Sequence, residues 1–558
     1  MSVFEIFDLW LEKAADDEDI VNELVSIKDN ANEIEDRFFR ELSFGTGGLR
    51  GIIGAGINRL NIYTVGKITQ GYANYLNANF LRPVVIIAYD SRNKSELFAQ
   101  TAACVLAANG VKVYIFNTLM PTPVLSFAVR YLNGSGGIVI TASHNPYIYN
   151  GYKIYGSDGC QITRNAAESI ALKINGIDIF DDVKKDDFND SIERKVISYV
   201  PEDVLESYFE NINALSMISD SVNRDLPVIY TPLNGAGITC VPKILLKNKF
   251  TNISIPKAQE MPDGNFPTCP YPNPEVPEAL REGIRLAQEK DAELVLATDP
   301  DCDRVGCAVK VNDEFLLING NQMGVLLLDF SCFLRIQNGR MPKNPIAIKT
   351  IVTTNLAKDI ADNYGVKLIN TLTGFKYIGE QIGLLEKYES NKESRFIFGF
   401  EESYGYLNGT YTRDKDAVSA SLLICEMAAY YKSIGKTLYD VLEEIYKKYG
   451  YYLDELDTFT LEGKQGAETI QAIMRNLRGK GSSLFGDAEK FLDYQKGIDE
   501  LPAENVLQYQ FKDKSIVTVR PSGTEPKIKL YYSICADNKE SAIEKKHVIK
   551  QIIESVVL

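Results

Sequence analysis

The stretch that decides the fold is residues 137–146, which read Gly-Ile-Val-Ile-Thr-Ala-Ser-His-Asn-Pro. A short apolar and β-branched run ends abruptly in a polar loop that places Ser143 beside His144. A buried parallel strand leading into such a loop is typical of open α/β sheets, whose functional sites lie just beyond the carboxyl ends of the strands. The sequence therefore predicts an α/β protein with a site at this loop.

The same strand-to-loop construction recurs three more times along the chain. Apolar runs precede the segments Thr298-Asp-Pro-Asp-Cys-Asp-Arg304, Phe400-Glu-Glu-Ser403 and Arg520-Pro-Ser-Gly-Thr-Glu-Pro-Lys527. A serine, a triple aspartate, a Glu-x-Ser and a basic Ser-Gly-Thr loop form a coherent set if all of them converge on one phosphorylated ligand. We therefore predict that these four loops meet in a shared cleft.

Length and composition restrict the class of protein. A chain of 558 residues is expected to form three to five domains. The net charge of -15 argues against nucleic acid or an anionic membrane as partner. Nine cysteines without a C-x-x-C pair, together with only two histidines, exclude a zinc-type site and indicate reduced thiols. The longest apolar run, at 323–334, is too short to span a membrane and the start of the chain has no basic n-region, so we expect a soluble, cytoplasmic protein.

Asp299, Asp301 and Asp303 alternate along the chain. In an extended segment this spacing would place all three carboxylates on one side, where three hard oxygen ligands suit Mg²⁺. A calcium loop of the EF-hand type is excluded because Arg304 and Lys310 occupy the positions of its glycine and its terminal glutamate. A solvated acidic turn is the remaining alternative, and the apolar run that leads into the segment argues against it.

The pair Ser143 and His144 also invites a hydrolase interpretation. The loop lacks the G-x-S-x-G pattern, and we expect two adjacent side chains to point apart. A serine oxygen facing a divalent ion fits a phosphoryl carrier instead, because phosphoserine adds about -1.5 to -2 charges that the ion can hold and polarise.

Several other segments allow two interpretations. The Arg520 loop, expected inside a βα unit, has the guanidinium, hydroxyls and glycine of a phosphate nest, with a surface β-turn as the alternative. The glycine-rich stretch 44–51 is either a phosphate loop or a structural turn. Asp90 and Arg92 are either site residues or a structural ion pair.

We also expect residues 1–40 to pack as a helix around Trp10, and residues 463–486 to be flexible.

The segments Thr141-Ala-Ser-His-Asn-Pro, Asp299-Pro-Asp-Cys-Asp-Arg, Glu401-Glu-Ser and Arg520-Pro-Ser-Gly-Thr, in this order, resemble the α-D-phosphohexomutase family. The likeness is greatest to its phosphoglucomutase/phosphomannomutase members and extends from about Phe44 to Lys529. It implies four domains around a central cleft: three related α/β domains with mixed sheets and a smaller α+β C-terminal lid. The expected ranges are 1–204 with the phosphoserine loop, 205–320 with the metal loop, 321–450 with the sugar loop and 451–558 with the phosphate loop.

The resemblance also implies roles for individual residues. Ser143 would carry the phosphoryl group, and with Asp299, Asp301 and Asp303 it would bind Mg²⁺. The implied catalytic residues are Ser143, His144, Arg50, Lys153 and Lys376, with Arg50 and Lys153 assisting proton transfer. The implied substrate-binding residues are Arg304, Thr373, Gly374, Glu401, Ser403, Arg413, Lys415, Arg520, Ser522, Gly523, Thr524 and Lys527.

The implied reaction is the interconversion of α-D-glucose 1-phosphate and glucose 6-phosphate, with glucose 1,6-bisphosphate as intermediate and activator. Mannose or pentose phosphates remain alternative substrates, since Phe400 stands where many members have glycine. A Mg²⁺-dependent sugar phosphatase and a silent sugar-phosphate-binding protein are further alternatives. The second is the least favoured because Ser143 and all three aspartates are present. The expected partner is a small phosphosugar, and both a monomer and a homodimer remain open.

Overall fold

Four β-sheets follow one another along the chain, each with helices packed against it. The computed structural model describes residues 1–14, 17–45, 47–388, 395–461, 463–486, 488–499, 501–522 and 527–557. The units around the four sheets are called domains 1 to 4 in chain order. The predicted phosphate-binding residues Gly523 and Thr524 lie outside the described residues.

A small helical cluster precedes the first sheet. It contains three helices, α1 (Val3–Lys13), α2 (Glu18–Ile27) and α3 (Ala31–Phe38), where we expected one. The chain is interrupted because the side chains of Asp17 and Asn30 accept hydrogen bonds from the first turns of α2 and α3 and so cap new helices. Trp10 is buried, as expected, and packs edge-on against Phe38 and Phe180.

Domain 1 is built on a mixed six-stranded sheet in the order β1-β5-β4-β2-β3-β6. Its elements are β1 (Gly48–Ile52), α4 (Ile62–Asn79), β2 (Val84–Tyr89), α5 (Ser95–Ala108), β3 (Lys112–Ile115), α6 (Thr122–Tyr131), β4 (Gly136–Ile140), β5 (Tyr149–Gly156), α7 (Arg164–Ile174), α8 (Phe188–Glu193), β6 (Ile197–Tyr199) and α9 (Glu202–Asn213). The predicted central strand is β4, which is fully buried, parallel to β2 and antiparallel to β5. The glycine-rich stretch 44–51 leads into β1, which pairs antiparallel with β5.

Domains 2 and 3 repeat the mixed α/β construction. Domain 2 contains β7 (Val228–Thr231), α10 (Val241–Lys247), β8 (Ile253–Ser254), α11 (Lys257–Glu260), α12 (Pro277–Lys290), β9 (Leu294–Thr298), β10 (Val305–Val311) and β11 (Glu314–Ile318), with sheet order β11-β10-β9-β7-β8. Domain 3 contains α13 (Gly320–Gln337), β12 (Ile346–Thr350), α14 (Leu356–Asn363), β13 (Lys367–Thr371), α15 (Phe375–Tyr388), β14 (Phe396–Glu401), β15 (Gly405–Leu407), α16 (Ala417–Ser433) and α17 (Leu438–Tyr449), with sheet order β13-β12-β14-β15. In both domains the buried strand β9 or β14 ends at a predicted loop.

Domain 4 has a different architecture, an antiparallel sheet in the order β16-β20-β19-β18-β17. Its elements are β16 (Tyr451–Thr460), α18 (Gly463–Lys480), β17 (Ala488–Asp493), β18 (Leu507–Phe511), β19 (Ile516–Pro521), β20 (Lys527–Ala536) and α19 (Lys539–Val557). The predicted fold class, three mixed α/β domains and an α+β C-terminal domain, is confirmed.

Two local predictions for domain 4 are wrong. Residues 463–480 form a helix, not a flexible segment, because Ile470, Ile473 and Leu477 recur at helical spacing and are buried in the core of the domain. The Arg520 segment does not lie in a βα unit. It belongs to a ββ connection, since β19 pairs antiparallel with β20.

The described part of the chain has no helix that is long and apolar enough to cross a membrane. All nine cysteines are among the described residues, and each is a free thiol, as the sequence predicted.

Candidate active site

Ser143 lies in the loop that follows β4, and its side chain points toward domain 2. Its hydroxyl donates a hydrogen bond to Oδ2 of Asp299 over 2.7 Å. The backbone at Ser143 has a φ of +52°, in the left-handed region that non-glycine residues seldom adopt. Its backbone N–H donates to the Thr141 hydroxyl over 2.8 Å. The loop is therefore held in a strained shape that presents the serine to the neighbouring domain.

A buried ion pair stabilises the conformation of this loop. The Arg92 guanidinium donates to the backbone carbonyls of Ser143, Asn145, Pro146 and Tyr149, and it lies 3.5 Å from the Asp90 carboxylate. Asp90 in turn accepts a hydrogen bond from the Thr141 hydroxyl over 2.6 Å. Both charged side chains are fully buried. Of the two interpretations left open by the sequence, the structure favours a structural pair that shapes the serine loop.

The three aspartates converge, but not through an extended segment. Residues 299–303 form a tight turn in which the Cys302 backbone N–H donates to the Asp299 carbonyl over 2.8 Å and Cys302 has a φ of +51°. The backbone N–H groups of Asp303 and Arg304 donate to Oδ1 of Asp299 over 3.1 and 3.0 Å. One carboxylate oxygen of each aspartate lies within 4.8 Å of the others, and all three residues are buried.

The carboxylates retain the capacity to bind a cation. Within the described residues, Oδ1 of Asp301 and Oδ1 of Asp303 are buried and accept no hydrogen bond. Buried ionised oxygens without partners are costly unless a cation satisfies them. Hard carboxylate oxygens are also the ligands that divalent ions such as Mg²⁺ prefer. The donor set therefore fits a metal ion.

Side chains from domains 1 and 3 surround the aspartate turn. The Thr122 hydroxyl donates to Oδ2 of Asp301 over 3.0 Å, and Nζ of Lys153 donates to the same oxygen over 2.8 Å. Nζ of Lys415 lies 2.8 Å from Oδ2 of Asp303. Two predicted residues, Lys153 and Lys415, are thus in direct contact with the aspartates.

The pKa values in this cluster show how the charges are balanced. Burial and the neighbouring carboxylates of Asp301 and Asp303 raise the pKa of Asp299. Burial has the same effect on Asp301, but the Lys153 ammonium outweighs it and holds the pKa of Asp301 below its usual range. Burial also opposes the charge on Lys415, and the nearby Asp303 carboxylate nevertheless raises the pKa of Lys415. Both lysines are therefore fully charged at neutral pH.

His144 contacts the serine, contrary to the expectation that the adjacent side chains point apart. Its Nδ1 lies 3.1 Å from the Ser143 hydroxyl oxygen, a contact made possible by the left-handed backbone of Ser143. Burial, followed by the charges of Arg304 and Arg50, lowers the pKa of His144 well below its usual value, so the ring is neutral. When the serine donates its proton to Asp299, Nδ1 of His144 is the donor in this contact. The carboxylate thus bonds the serine and not the histidine, which differs from a hydrolase triad.

The Glu401 loop approaches the aspartate turn through Arg304. Nη1 of Arg304 donates to the Ser403 carbonyl over 3.2 Å and lies 2.7 Å from Glu275, which lies just before α12. Glu401 is buried and accepts a hydrogen bond from the Gly374 backbone over 3.0 Å, which joins two predicted sugar-binding loops. Burial raises the pKa of Glu401 to about 7. The hydroxyl of Thr373 beside this pair is buried and has no hydrogen-bond partner within the described residues.

Three further predicted residues have different surroundings. Arg50, on β1, donates to Oδ1 of Asn145 over 2.6 Å and so borders the serine loop. Lys376, at the start of α15, is partly buried near Arg520. Arg413 is not brought to the aspartate turn, because its buried guanidinium pairs with Glu386 and donates to backbone carbonyls of its own loop. Its binding role stays a prediction.

The described part of the Arg520 segment lies apart from the aspartate turn. Nε of Arg520 lies 3.4 Å from Oε1 of Glu504, and Ser522 and Lys527 pair through a backbone hydrogen bond of 2.8 Å. A cavity of about 470 Å³ opens beside Arg520 and Ser522. Three of the four predicted loops therefore meet at the aspartate turn, whereas the described part of the Arg520 loop lines a separate cavity.

Sequence reasoning missed three residues that contact the site: Thr122, Glu275 and Arg164, which lines the cavity beside Arg520. A signal existed for Thr122, since it follows β3 in a Met-Pro-Thr-Pro loop that has the same strand-to-loop construction. Glu275 and Arg164 carry no such signal, because their partners lie in distant segments of the chain.

The fold and the site together define a class of protein, a multidomain α/β enzyme suited to phosphoryl transfer on an anionic substrate. Models of phosphoglucomutase/phosphomannomutase α/β/α domains I, II and III match residues 41–179, 206–312 and 319–449, more than half of the chain. The protein therefore belongs to the phosphoglucomutase/phosphomannomutase family of α-D-phosphohexomutases, as the sequence motifs predicted.

Curated relatives and solved structures agree with this assignment. The chain is 38% identical to a phosphoglucomutase of Staphylococcus aureus (strain bovine RF122 / ET3-1), over 96% of this chain and 97% of that protein. It is 37% identical to a phosphoglucomutase of Staphylococcus epidermidis, over 95% and 97% of the two chains. In fold it is similar to parafusin (phosphoglucomutase) from Paramecium, with a TM-score of 0.69 at 18% identity over 93% and 95% of the two chains. A phosphoglucomutase/phosphomannomutase family protein from Burkholderia thailandensis gives 0.68 at 20% identity over 92% and 97%.

Proposed function

We propose that this protein is a phosphoglucomutase that interconverts α-D-glucose 1-phosphate and glucose 6-phosphate. The observation that carries the proposal is the hydrogen bond of 2.7 Å from the Ser143 hydroxyl to Asp299, one of three buried aspartates. The phosphoglucomutases of two Staphylococcus species, each similar to almost the whole chain, support the choice of glucose. The free thiols support a cytoplasmic location.

Asp299, Asp301, Asp303 and the Ser143 oxygen would hold Mg²⁺, and the unpartnered carboxylate oxygens support this assignment. A bound Mg²⁺ would neutralise and polarise the phosphoryl group. Lys153 and Lys415 would contribute two further positive charges, since both ammonium groups already lie 2.8 Å from an aspartate of the turn. A phosphorylated Ser143 would thus face a metal ion and two ammonium groups that offset the charge of the aspartates.

The proposed reaction has two balanced phosphoryl transfers. In the first, the bond between phosphorus and the Ser143 oxygen breaks while a bond forms from phosphorus to the free sugar hydroxyl. The hydroxyl proton leaves the sugar, the serine oxygen regains a proton, and glucose 1,6-bisphosphate results. The bisphosphate then reorients in the site. In the second transfer the bond between its other phosphorus and the sugar oxygen breaks, and this phosphoryl group is transferred to Ser143. Such transfers depend mainly on positioning and charge stabilisation, which the buried lysines supply.

We assign the remaining residues by their positions. His144 is neutral and hydrogen-bonded to Ser143, and Arg50 borders the same loop, which supports a role for both in the proton transfers together with Lys153. Glu401, held by the Gly374 backbone, would accept hydrogen bonds from sugar hydroxyls, with Ser403 and Thr373 beside it. Arg304 would bind the substrate once it leaves Glu275. Arg520, Ser522, Lys527 and Lys376 would bind the non-reacting phosphate, with domain 4 acting as the lid.

The test is a product assay with α-D-glucose 1-phosphate, Mg²⁺ and a trace of glucose 1,6-bisphosphate. Wild type and a Ser169→Ala control, which removes an exposed hydroxyl on α7, should form glucose 6-phosphate without free phosphate. Ser143→Ala should form neither. Free phosphate as the main product would replace the proposal with a sugar phosphatase. If the protein converted mannose 1-phosphate or ribose 1-phosphate but not glucose 1-phosphate, that sugar phosphate would replace glucose 1-phosphate as the proposed substrate.

A further inference from the structure

The cavity beside Arg520 is lined from two domains that are far apart in sequence. Its polar lining comes from Arg164 on α7 of domain 1 and from Gln471, Gln495, Glu504, Asn505, Arg520 and Ser522 of domain 4. All but one of these side chains can donate hydrogen bonds, and two of them are guanidinium groups, which suit a phosphate. The exception is the carboxylate of Glu504.

Glu504 is held in this position by its backbone. Its N–H donates to the Tyr494 carbonyl over 3.1 Å, and its own carbonyl accepts from Val506 over 2.9 Å. The next residue, Asn505, accepts a hydrogen bond of 2.8 Å from Arg478, which is itself paired with Asp493. The segment therefore presents the Glu504 carboxylate to Arg520, 3.4 Å away, as a built feature of domain 4.

Charged side chains from domains 1, 3 and 4 lie close together around this cavity. Burial lowers the pKa of Lys376 in domain 3, Glu504 opposes this effect, and Arg164 and Arg520 add to it. Glu504, Arg164 and Arg520 are thus all within electrostatic reach of Lys376, and so is a second carboxylate, that of Glu380. Three positive charges against the two carboxylates of Glu504 and Glu380 leave a net charge of +1, which favours an anion such as a phosphate monoester.

We propose that Arg164 is a further substrate-binding residue for the non-reacting phosphate, and that Glu504 is the counter-ion which Arg520 exchanges for that phosphate. The inference rests on the proposed sugar-phosphate substrate. A phosphate bound by both guanidinium groups would link domain 1 to domain 4. Before it arrives, the Glu504 carboxylate neutralises Arg520 and lowers the affinity for smaller anions.

The experiment measures binding and turnover separately, on the full chain. Binding of α-D-glucose 1-phosphate and of inorganic phosphate is followed by calorimetry in EDTA, and kcat and KM are measured with Mg²⁺. The variants are Arg164→Gln, Arg164→Lys and Glu504→Gln. Lys173→Gln, on the exposed face of the same helix, and Glu489→Gln, exposed on β17, make the same changes of charge outside the cavity.

Arg164→Gln should weaken binding of both ligands by roughly tenfold or more, the usual loss for a charge-assisted hydrogen bond, and should raise KM more than it lowers kcat. Arg164→Lys should give an intermediate loss. Glu504→Gln should strengthen binding of inorganic phosphate by about threefold or more, which is a modest effect for one charge across a solvated cavity. Both controls should stay within about twofold of wild type.

Two results would overturn the inference. Binding by Arg164→Gln equal to that of Lys173→Gln would remove Arg164 from the phosphate site. Weaker phosphate binding by Glu504→Gln would make Glu504 an anchor of the site and not a counter-ion. If wild type binds the sugar phosphate without converting it, the proposed reaction fails while the binding comparison still decides the role of Arg164.

Discussion

The Ser143 hydroxyl donates a hydrogen bond to Oδ2 of Asp299 over 2.7 Å, across the boundary between domains 1 and 2. The two residues are 156 positions apart in sequence, and both are buried. Each belongs to a loop with a left-handed residue, Ser143 itself in one and Cys302 in the other. The contact therefore depends on two strained loops whose shapes are maintained by the packing of two domains.

This strain predicts a conflict between stability and activity at Ser143. A left-handed backbone costs a non-glycine residue roughly 1–2 kcal/mol, whereas glycine adopts it freely. We expect Ser143→Gly to unfold at a higher urea concentration than Ser143→Ala, with a difference in the free energy of unfolding of about 1 kcal/mol. Both variants should be inactive. Equal stability of the two would show that the loop relaxes when the hydroxyl is lost.

Thr122 is expected to set metal affinity without binding the metal. Its hydroxyl donates to Oδ2 of Asp301, and groups that orient metal ligands typically contribute roughly 10- to 100-fold to affinity. Thr122→Val should therefore raise the Mg²⁺ concentration needed for half-maximal activity by about tenfold, with little change in kcat at saturation. The control is Thr101→Val, which removes a mostly buried hydroxyl bonded within α5. An unchanged Mg²⁺ requirement in Thr122→Val would show that Asp301 is positioned without it.

The raised pKa of Glu401 predicts that substrate binding depends on pH. Burial raises its pKa to about 7, and only the ionised carboxylate accepts hydrogen bonds with both oxygens. KM for glucose 1-phosphate should therefore fall as the pH rises through about 7, and Glu401→Gln should remove this change. Glu426→Gln is the matched control, because burial also raises the pKa of Glu426 to about 7 but its partner is Ser216.

The same carboxyl group has an opposite effect on stability. The folded protein binds a proton at Glu401 between pH 4.5 and about 7, where the unfolded chain does not. Stability without ligand should therefore fall as the pH rises through this window. Glu401→Gln should flatten that fall, which urea unfolding at pH 5.5 and pH 8 can measure. A variant with the wild-type slope would contradict the assignment.

Arg413 should matter more for stability than for substrate affinity. Its guanidinium is buried and pairs with the partly exposed Glu386, so Arg413→Met leaves a carboxylate with reduced compensation and should cost about 1–3 kcal/mol in the free energy of unfolding. Lys432→Met, which breaks an exposed pair with Glu293, should cost about 0–1 kcal/mol. A raised KM with unchanged stability in Arg413→Met would instead support the substrate-binding role predicted from sequence.

Much of this architecture could be predicted from local sequence. The strands β4, β9 and β14 are apolar runs that end in polar loops, and the buried sheets follow from that pattern. The helix α18 was not predicted because glycines and charged residues interrupt its apolar pattern in the sequence. Its apolar residues are identified by their packing in the core of domain 4. Such a face is stabilised by tertiary contacts and not by local propensity.

Contacts within the site were harder to predict than its residues. The convergence of the three aspartates was expected from an extended segment, but a tight turn at Cys302 produces it. The contact between His144 and Ser143 depends on one backbone angle that no residue type at this position indicates. The pairings of Arg304 with Glu275 and of Arg520 with Glu504 join segments that only the folded chain brings together.

In the proposed reaction Ser143 carries the phosphoryl group. The most direct measurement is to incubate the protein with glucose 1,6-bisphosphate and Mg²⁺, stop the reaction, and locate the phosphoryl group by peptide mass spectrometry. We predict phosphate on Ser143, its loss when excess glucose 6-phosphate is added, and none in Ser143→Ala. Phosphate on another residue, or full turnover with an unmodified Ser143, would contradict the account.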